Sequence, residues 1–317
     1  MMLRSAPPPT AFEQVPCYLC GSENFTPLLM GEDDLTGKPG RFQFVTCKQC
    51  GLAYQNPRLT LDRIKPYYDD EYIAHRKKTD WGWLTPLYQR AMRRHDLAKL
   101  ALVDRYINLH EKSHILDIGC GAATFLQELV ARDSVHATGI DFKDLSHLPG
   151  FAQIDFRCGL LADQKLEGHS FDLITMWHFL EHDYDPIATL ARCRDLLTAE
   201  GRLLIEVPRL DSLSFRLYQE RWPGLQAPQH TILFSRASLL EMVRRQGLEV
   251  VDYLPYGAFP PYFYLFTGLA FKILKGHGLN LDRAILPYFI GQLLCAPLLL
   301  FQRKLNLAMQ TVVCRRA

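Results

Sequence analysis

The chain has 317 residues, of which 48% are hydrophobic and 22% are charged, and its formal net charge is +2. This length suffices for one large domain or two modest ones with a full core. The near-neutral charge excludes a chain that binds polyanions through its overall charge, and we interpret its two local basic groups as solvated surface: Arg76, Lys77 and Lys78, and Arg90, Arg93 and Arg94.

The first sixteen residues lack the apolar run of a secretory signal peptide. We therefore expect a cytoplasmic chain whose nine cysteines stay reduced.

Two Cys-x-x-Cys-Gly turns follow near the N-terminus, and they hold Cys17, Cys20, Cys47 and Cys50. Between them lies a stretch typical of a hairpin, with strands near residues 25–30 and 42–45. Four thiolates from two such turns match tetrahedral Zn²⁺, and four protein ligands leave no open position, so the spacing predicts a structural zinc site. The alternative is four unrelated buried cysteines, which the repeated spacing and the following glycines disfavour.

After an aromatic-rich segment, the pattern predicts a helix from about residue 86 to 110, with an apolar face that includes Leu87, Leu97 and Leu100. We interpret it as a cover for one face of the core domain. From residue 114 onward, predicted strands alternate with helices. The strands are 114–118, 136–140, 155–158, 171–176, 201–207 and 248–253, and the helices are 122–132, 186–197 and 236–246. This alternation predicts a doubly wound, largely parallel α/β sheet.

The stretch His-Ile-Leu-Asp-Ile-Gly-Cys-Gly-Ala-Ala-Thr-Phe, residues 114–125, is the most informative in the chain. It predicts a buried strand, a turn at Gly119 and Gly121, and a helix whose N-terminus accepts a nucleotide-like ligand. Dinucleotide and adenosyl binders share this unit. Asp117 favours the second class, because a carboxylate repels a pyrophosphate but suits the charged amine of S-adenosylmethionine.

Other chemistry-bearing residues follow the predicted strands, where ligands of such sheets bind. Asp141 comes 20 residues after Gly121, as a carboxylate that bridges ribose hydroxyls would, although this spacing also fits NAD sites. Leu160, Leu161 and Asp163 follow the third strand, where an adenine ring would lie. Trp177, His178, Glu181 and His182 follow the fourth.

The ordered set of motifs resembles class I S-adenosylmethionine-dependent methyltransferases that carry an N-terminal Cys-x-x-Cys zinc knuckle. The motifs are residues 17–21, 47–52, 67–72, 117–123, 139–141, 177–182, 200–208 and 228–235. The resemblance covers about residues 17 to 256 and implies a seven-stranded Rossmann-like methyltransferase sheet, with a small N-terminal zinc-binding module and a C-terminal helical hairpin insertion. The third glycine of the usual turn is replaced by Ala123, which is small enough that we expect cofactor binding to survive.

The resemblance also implies roles for individual residues. The cofactor S-adenosylmethionine would be bound by Asp117, Gly119, Cys120, Gly121, Asp141, Phe142 and Leu161. An acceptor hydroxyl or enol must lose a proton, and the candidate acceptors of that proton are His178, Glu181, His182 and His230. For His178, contact with the methionine end of the cofactor is an equally weighted alternative.

Residues 178–182 also match the zinc-peptidase motif His-x-x-Glu-His. We discount it, because the peptidase needs a continuous helix and this segment follows a strand directly. In the similar ubiquinone-pathway O-methyltransferases, acidic and histidine side chains of this segment hold Mg²⁺. Here His178 replaces one glutamate, so the sequence offers no support of its own for Mg²⁺.

Two uncharged runs, residues 255–271 and 284–301, follow the last predicted helix and strand of the core. Pro287, Gly291 and Pro297 make the second run a poor spanning helix, although its length would suffice. Residues 307–315 are predicted to return as a last, antiparallel strand beside strand 248–253, which forbids a single membrane crossing. A hairpin that dips into one leaflet, a dimer interface and a lid all fit. The basic flanks favour peripheral attachment to the cytoplasmic face of a membrane.

The sequence thus divides into a zinc-binding module (1–75), a helical linker or cap (76–112), a methyltransferase core (113–256), an apolar hairpin (257–304) and a last core strand (305–317). The leading hypothesis is a methyltransferase for O- or C-methylation of a small-molecule acceptor that is lipid-linked or apolar. The alternatives are an RNA methyltransferase whose knuckle grips nucleic acid and a cofactor-binding scaffold without turnover. Charge and the apolar runs disfavour RNA, and the intact cofactor residues disfavour the scaffold.

Overall fold

The computed structural model describes residues 11–68, 85–166, 168–274, 289–291, 293–294, 297, 301–302 and 304–317. The strands are β1 (Phe12–Glu13), β2 (Phe25–Gly31), β3 (Phe42–Cys47), β4 (Ala53–Gln55), β5 (Arg58–Leu59), β6 (His114–Ile118), β7 (His136–Asp141), β8 (Asp155–Cys158), β9 (Phe171–Trp177), β10 (Leu197–Pro208), β11 (Ile232–Leu233), β12 (Leu248–Leu254) and β13 (Met309–Arg316). The helices are α1 (Leu61–Ile64), α2 (Thr85–Val103), α3 (Thr124–Asp133), α4 (Pro186–Leu196), α5 (Leu213–Tyr218), α6 (Arg236–Arg245) and α7 (Pro261–Leu274). The basic run 76–78 lies outside the described residues, as does most of the run 284–301.

The central sheet has seven strands in the order β12-β13-β10-β9-β6-β7-β8, which confirms the predicted fold. Strands β8, β7, β6, β9 and β10 pair in parallel, and β13 lies antiparallel between β10 and β12. The predicted last strand therefore returns to the sheet with the predicted direction. The chain order reverses between β6 and β9, so a ligand cleft is expected at their carboxyl ends.

Local sequence explains where these elements start. The strand β6 carries four buried residues in succession, as a strand covered on both faces requires. Helix α4 begins after Asp185, whose side chain accepts a hydrogen bond from the N–H of Ala188, with Pro186 in the first turn. Ser235 and Ser238 form a reciprocal capping box at α6.

Helix α2 differs from its prediction. It ends at Val103 rather than near residue 110, since the chain turns there and Tyr106 donates a hydrogen bond to Asp252 on β12 over 2.6 Å. The buried residues are Asp96, Leu100, Leu102 and Val103, whereas Leu87 and Leu97 of the predicted apolar face are each 45% exposed. The helix therefore turns a partly polar face toward the core.

The N-terminal cysteine turns belong to a four-stranded sheet of order β11-β4-β3-β2. Its edge strand β11 comes from the core part of the chain, and Ile232 pairs with Tyr54. The sheet that contains Cys47 is thus joined, strand by strand, to the segment that follows His230.

Helix α7 is the described arm of the predicted apolar hairpin. Its buried side includes Tyr264 and Phe271, with the Tyr264 ring 6.2 Å from that of Trp222. Its other side presents Leu269 and Ile273, which are 52% and 71% exposed. Of the helices within the described residues, none combines the length and apolar character that crossing a bilayer requires.

Candidate active site

Two buried carboxylates mark the carboxyl ends of β6 and β7. Asp117 accepts a hydrogen bond of 2.7 Å from the Thr175 hydroxyl on β9. Burial raises the pKa of Asp117 to about 7, against the lowering effects of Thr175 and the nearby Lys99. A buried carboxylate with a raised pKa is stabilised by a cation, so this position suits the ammonium group of an amino-acid-like ligand.

Asp141 fastens the glycine turn to the end of β7. One carboxylate oxygen accepts from the N–H of Gly121 over 2.9 Å, and the other accepts from the N–H of Lys143 over 3.0 Å. The carboxylate therefore lies directly at the glycine turn, and its oxygens are acceptors of the kind that a ribose hydroxyl requires.

The glycine turn itself is held by the neighbouring strand, since Gly119 and Cys120 both donate backbone hydrogen bonds to Ile140. Gly119 has a φ of +75°, and a Cβ there would lie 2.7 Å from the Phe179 ring. Glycine is therefore required at this position by both conformation and space. Gly119 and Cys120 are partly exposed, whereas Gly121 is buried.

The residues predicted to lie beside the adenine ring are only partly exposed. Phe142 is 42% exposed, and its ring lies 5.0 Å from that of Tyr68 in an edge-to-face arrangement. Leu161 is buried in the core, whereas its neighbour Leu160 is 42% exposed. Of the two leucines, Leu160 is thus the one that a ligand reaches without displacing core packing.

Helix α2 adds polar groups that the sequence analysis did not select. Asp96 and Lys99 form an ion pair of 3.3 Å with side chains only 5% and 12% exposed, and the Lys99 ammonium lies 5.5 Å from the Trp177 ring centre. His95 lies edge-on to Phe259 at 5.2 Å, and its Nε2 is buried with no hydrogen-bond partner among the described residues. The signal was the spacing of Asp96, Leu100 and Val103, which places a carboxylate on the buried face.

The histidine–glutamate cluster, defined as His178, Glu181, His182, Glu206 and His230, lies beside these carboxylates. The His178 ring is placed between two carboxylates, with Nδ1 at 3.6 Å from Glu181 and Nε2 at 3.3 Å from Glu206. Burial alone would lower the pKa of His178, but the two carboxylates outweigh it and raise the pKa to about 9. The ring therefore carries a positive charge at neutral pH.

His230 is neutral, because burial and the neighbouring His182 lower its pKa well below the ordinary value. Its Nδ1 lies 2.8 Å from the carbonyl of Gly224, which fixes the proton on Nδ1 and leaves a lone pair on Nε2. That Nε2 is 4.0 Å from Glu181. His182 is held similarly, with Nδ1 at 3.0 Å from both the Gln229 carbonyl and the Tyr68 hydroxyl.

Glu181, His182 and His230 bring ligand atoms within 4.8 Å of one another. Two of these three donors are imidazole nitrogens, whereas Mg²⁺ prefers oxygen ligands. Glu181 also faces the cationic His178, so its charge is compensated within the chain. The cluster therefore does not favour Mg²⁺. The zinc-peptidase interpretation also lacks its helix, because Leu180–His182 is a single 3-10 turn.

The four cysteine sulfurs converge on one point. The Sγ atoms of Cys17 and Cys50 are 3.4 Å apart, those of Cys20 and Cys47 are 3.5 Å apart, and all four lie within 4.8 Å of one another. Tetrahedral zinc with Zn–S bonds of about 2.3 Å needs S–S separations of roughly 3.8 Å, which is close to this spacing. The donor set and its geometry fit Zn²⁺.

Comparison with known proteins assigns the chain to a family. A family model described as a methyltransferase domain matches residues 88–253, more than half of the chain. The chain belongs to this family and is a class I S-adenosylmethionine-dependent methyltransferase.

Individual relatives share fewer than a third of their residues with this chain. The ubiquinone biosynthesis O-methyltransferase of Neisseria meningitidis serogroup C is 26% identical over 175 residues, which cover 50% of this chain and 73% of that protein. That of Idiomarina loihiensis is 28% identical over 193 residues, covering 56% and 73%. Among solved structures, mycolic acid cyclopropane synthase CmaA1 aligns over 69% of this chain and 84% of its own, at 15% identity and a TM-score of 0.48.

Proposed function

We propose that this methyltransferase methylates a hydroxyl or enol carbon of a small apolar or lipid-linked acceptor at a membrane surface. One observation carries the proposal. The ring of Phe259 lies edge-on to His178 at 4.9 Å, and helix α7, with its exposed apolar side, begins two residues later. The chain just before the apolar helix thus contacts the charged cluster through an aromatic ring.

The cofactor end of the site is assigned to Asp117, Asp141, Phe142 and the turn of Gly119, Cys120 and Gly121, with Leu160 or Leu161 beside the adenine. S-adenosylmethionine supplies, when bound, an electrophilic methyl group on a sulfonium. Asp117 would hold its ammonium group and Asp141 its ribose hydroxyls, since both are buried carboxylates at the ends of β6 and β7. Lys99 of α2 would hold its carboxylate, since its ammonium lies 5.5 Å from the ring of Trp177 at the end of β9.

The acceptor end is assigned to the histidine–glutamate cluster. His178 is already protonated, and both of its ring nitrogens face carboxylates. Its role is therefore electrostatic, because its positive charge stabilises negative charge that develops on the acceptor oxygen. His230 keeps a free lone pair on Nε2 and takes the acceptor's proton, and Glu181 then lies 4.0 Å from the imidazolium so formed. The buried oxygens of Glu181 accept no hydrogen bond within the described residues, so Glu181 can stabilise that charge as well as the charge of His178.

The N-terminal module is proposed to hold one structural Zn²⁺ through Cys17, Cys20, Cys47 and Cys50. Its role in the reaction is indirect. Strand β4 pairs with β11, and the backbone N–H of Gln55 donates to the carbonyl of Thr231 over 2.8 Å. The zinc-bound sheet therefore positions the segment that carries His230.

Methyl transfer from labelled cofactor into separated lipid, small-molecule and RNA fractions tests the acceptor class. Label in the lipid or apolar small-molecule fraction is the expected result. No observation on the described residues favours the RNA alternative, and incorporation into RNA alone would overturn the proposal.

Attachment to a membrane is tested on the exposed side of α7. Removing residues 257–304 would uncover Trp222, so substitution of two exposed residues is the cleaner change. The variant Leu269→Ser with Ile273→Ser should lose cosedimentation with phosphatidylglycerol vesicles at low salt while cofactor affinity stays unchanged. The matched control replaces two other exposed leucines, Leu28→Ser with Leu61→Ser, which are 38% and 41% exposed. If the parent protein stays in the supernatant, membrane attachment is rejected.

A further inference from the structure

Glu206 is the single charged residue in the run Leu203–Pro208 of β10. Its side chain is fully buried, and burial alone would raise its pKa. The opposite holds, because His178 and two backbone N–H groups outweigh burial and lower the pKa of Glu206. A buried carboxylate is costly unless it is paired and hydrogen-bonded, so the partners of Glu206 define what it does.

Two of these partners belong to the segment that leads into α7. The N–H of Ala258 donates to one carboxylate oxygen over 2.6 Å, and the N–H of Phe259 donates to the other over 2.9 Å. Gly257 lies directly against the same group, since a Cβ there would be 2.4 Å from the carboxyl carbon of Glu206. The path of residues 257–259 is therefore fitted to this side chain.

The third partner is His178, whose Nε2 is 3.3 Å from the oxygen that accepts from Phe259. His178 has a φ of +58°, a conformation that side chains with a Cβ rarely adopt without a tertiary contact that holds them. Phe259 also contacts His178 directly, because its ring packs edge-on against the His178 imidazole. One carboxylate therefore holds both the predicted catalytic histidine and the start of the apolar helix.

We propose that Glu206 is a positioning residue that joins His178 to residues 257–259, so that docking of α7 on a lipid surface sets the placement of the His178 ring. The coupling to lipid rests on the membrane attachment proposed above. The link between Glu206, His178 and residues 257–259 is independent of that attachment. The link and its coupling to lipid are therefore tested separately.

The link is measured first without lipid, by hydrogen–deuterium exchange in the peptide 255–261. Its backbone N–H groups after the first residue are those of residues 256–259, because both of its last two residues are prolines. Glu206→Gln removes one acceptor, so exchange in this peptide should accelerate at least about tenfold. The matched control is Glu200→Gln, an exposed glutamate on the same strand, which should leave exchange unchanged.

The second measurement follows the His178 ring and adds a variant in the segment 257–259. Gly257→Ala pushes residues 257–259 away from Glu206, and it serves also if Glu206→Gln does not fold. The readout is the titration of the His178 imidazole by NMR, with the signal assigned by its loss in His178→Asn. In Glu206→Gln the titration should move down toward the ordinary histidine range, and Gly257→Ala should shift the ring signal although it changes no side chain of the cluster. A merely structural role would leave the His178 titration in place.

Phosphatidylglycerol vesicles complete the test. Vesicle binding should shift the His178 signal in the parent protein and leave it unshifted in Glu206→Gln, which still binds vesicles. If both variants leave exchange and titration as in the parent, the link is rejected. If the link holds but bound vesicles do not move the His178 signal, or no vesicles bind, the coupling to lipid is rejected, and the second outcome rejects the proposed attachment as well.

Discussion

The proposed cofactor-binding residues Asp117, Gly119, Cys120, Gly121 and Asp141, called the cofactor edge below, lie beside the histidine–glutamate cluster. The two regions come from different parts of the chain. Most of the cofactor edge comes from one stretch, since β6, the glycine turn, α3 and β7 follow one another between His114 and Asp141. The cluster draws on β9, β10 and the segment before β11, and Tyr68 from the N-terminal part contacts His182. Local sequence therefore brings the proposed cofactor-binding residues together, whereas the proposed acceptor side depends on long-range packing.

The largest expected effect is a loss of turnover on removal of the proposed zinc, which should affect the acceptor side but not cofactor binding. Cys47→Ser should lose the single zinc equivalent, and turnover should fall about 100-fold or more, because a displacement of about 1 Å at catalytic groups costs this much. Cofactor affinity should change by no more than about twofold, since Cys47 lies in the four-stranded sheet, whereas Asp117 and Asp141 lie in the central sheet. Elemental analysis and calorimetry provide the two measurements.

Cys314→Ala is the control for the zinc prediction, because Cys314 is buried in β13 and lies outside the cysteine site. It should keep its zinc. Less than about half an equivalent of zinc in the parent protein, purified without added metal, would contradict the site.

The next effect falls on the cofactor edge alone. Asp141→Ala removes the acceptor of the Gly121 and Lys143 N–H groups together with the proposed ribose contact. S-adenosylmethionine binding should weaken by about 1 to 3 kcal/mol, measured by calorimetry on protein whose circular dichroism is unchanged. Asp144→Ala changes an exposed aspartate whose partner is Ser146, and it should bind normally. Unchanged affinity of Asp141→Ala would refute the assignment.

These two regions also show how far the sequence alone leads. The predicted bounds of β6 and β8 match the structure, because strand periodicity and glycine turns are local signals. The direction of the last strand is also confirmed, but it follows from the fold that the resemblance implies. Glu206, Asp96 and Lys99 were missed. Each sits on an otherwise buried face, and whether such a charge is a surface residue or an internal partner depends on what packs against it.

Stability against pH tests the charge assigned to His178. The pKa of His178 is raised from 6.5 in the unfolded chain to about 9 in the folded chain. The histidine's stabilising contribution is therefore fully present below pH 6.5 and is lost as the pH rises through about 9. We expect about 3 kcal/mol of unfolding free energy to disappear over this window. His178→Gln should lack that decline in urea denaturation series, and an identical decline in both proteins would contradict the assignment.

The smallest effect concerns the single departure from the glycine pattern at the cofactor edge. Ala123 precedes α3 with a φ of +55°, a left-handed conformation, and its side chain is buried. The left-handed conformation costs a residue with a Cβ about 1 to 2 kcal/mol, whereas glycine gives back about 0.4 to 1 kcal/mol through the greater freedom of the unfolded chain. Ala123→Gly should thus stabilise the protein by about 0.5 kcal/mol, the difference between these two terms, as measured by urea denaturation. Cofactor affinity should stay within about twofold, because the N–H groups of the turn keep their positions. A loss of stability would mean that packing of the Ala123 methyl group outweighs its backbone strain, and the cofactor edge would then depend on tertiary contacts as the histidine–glutamate cluster does.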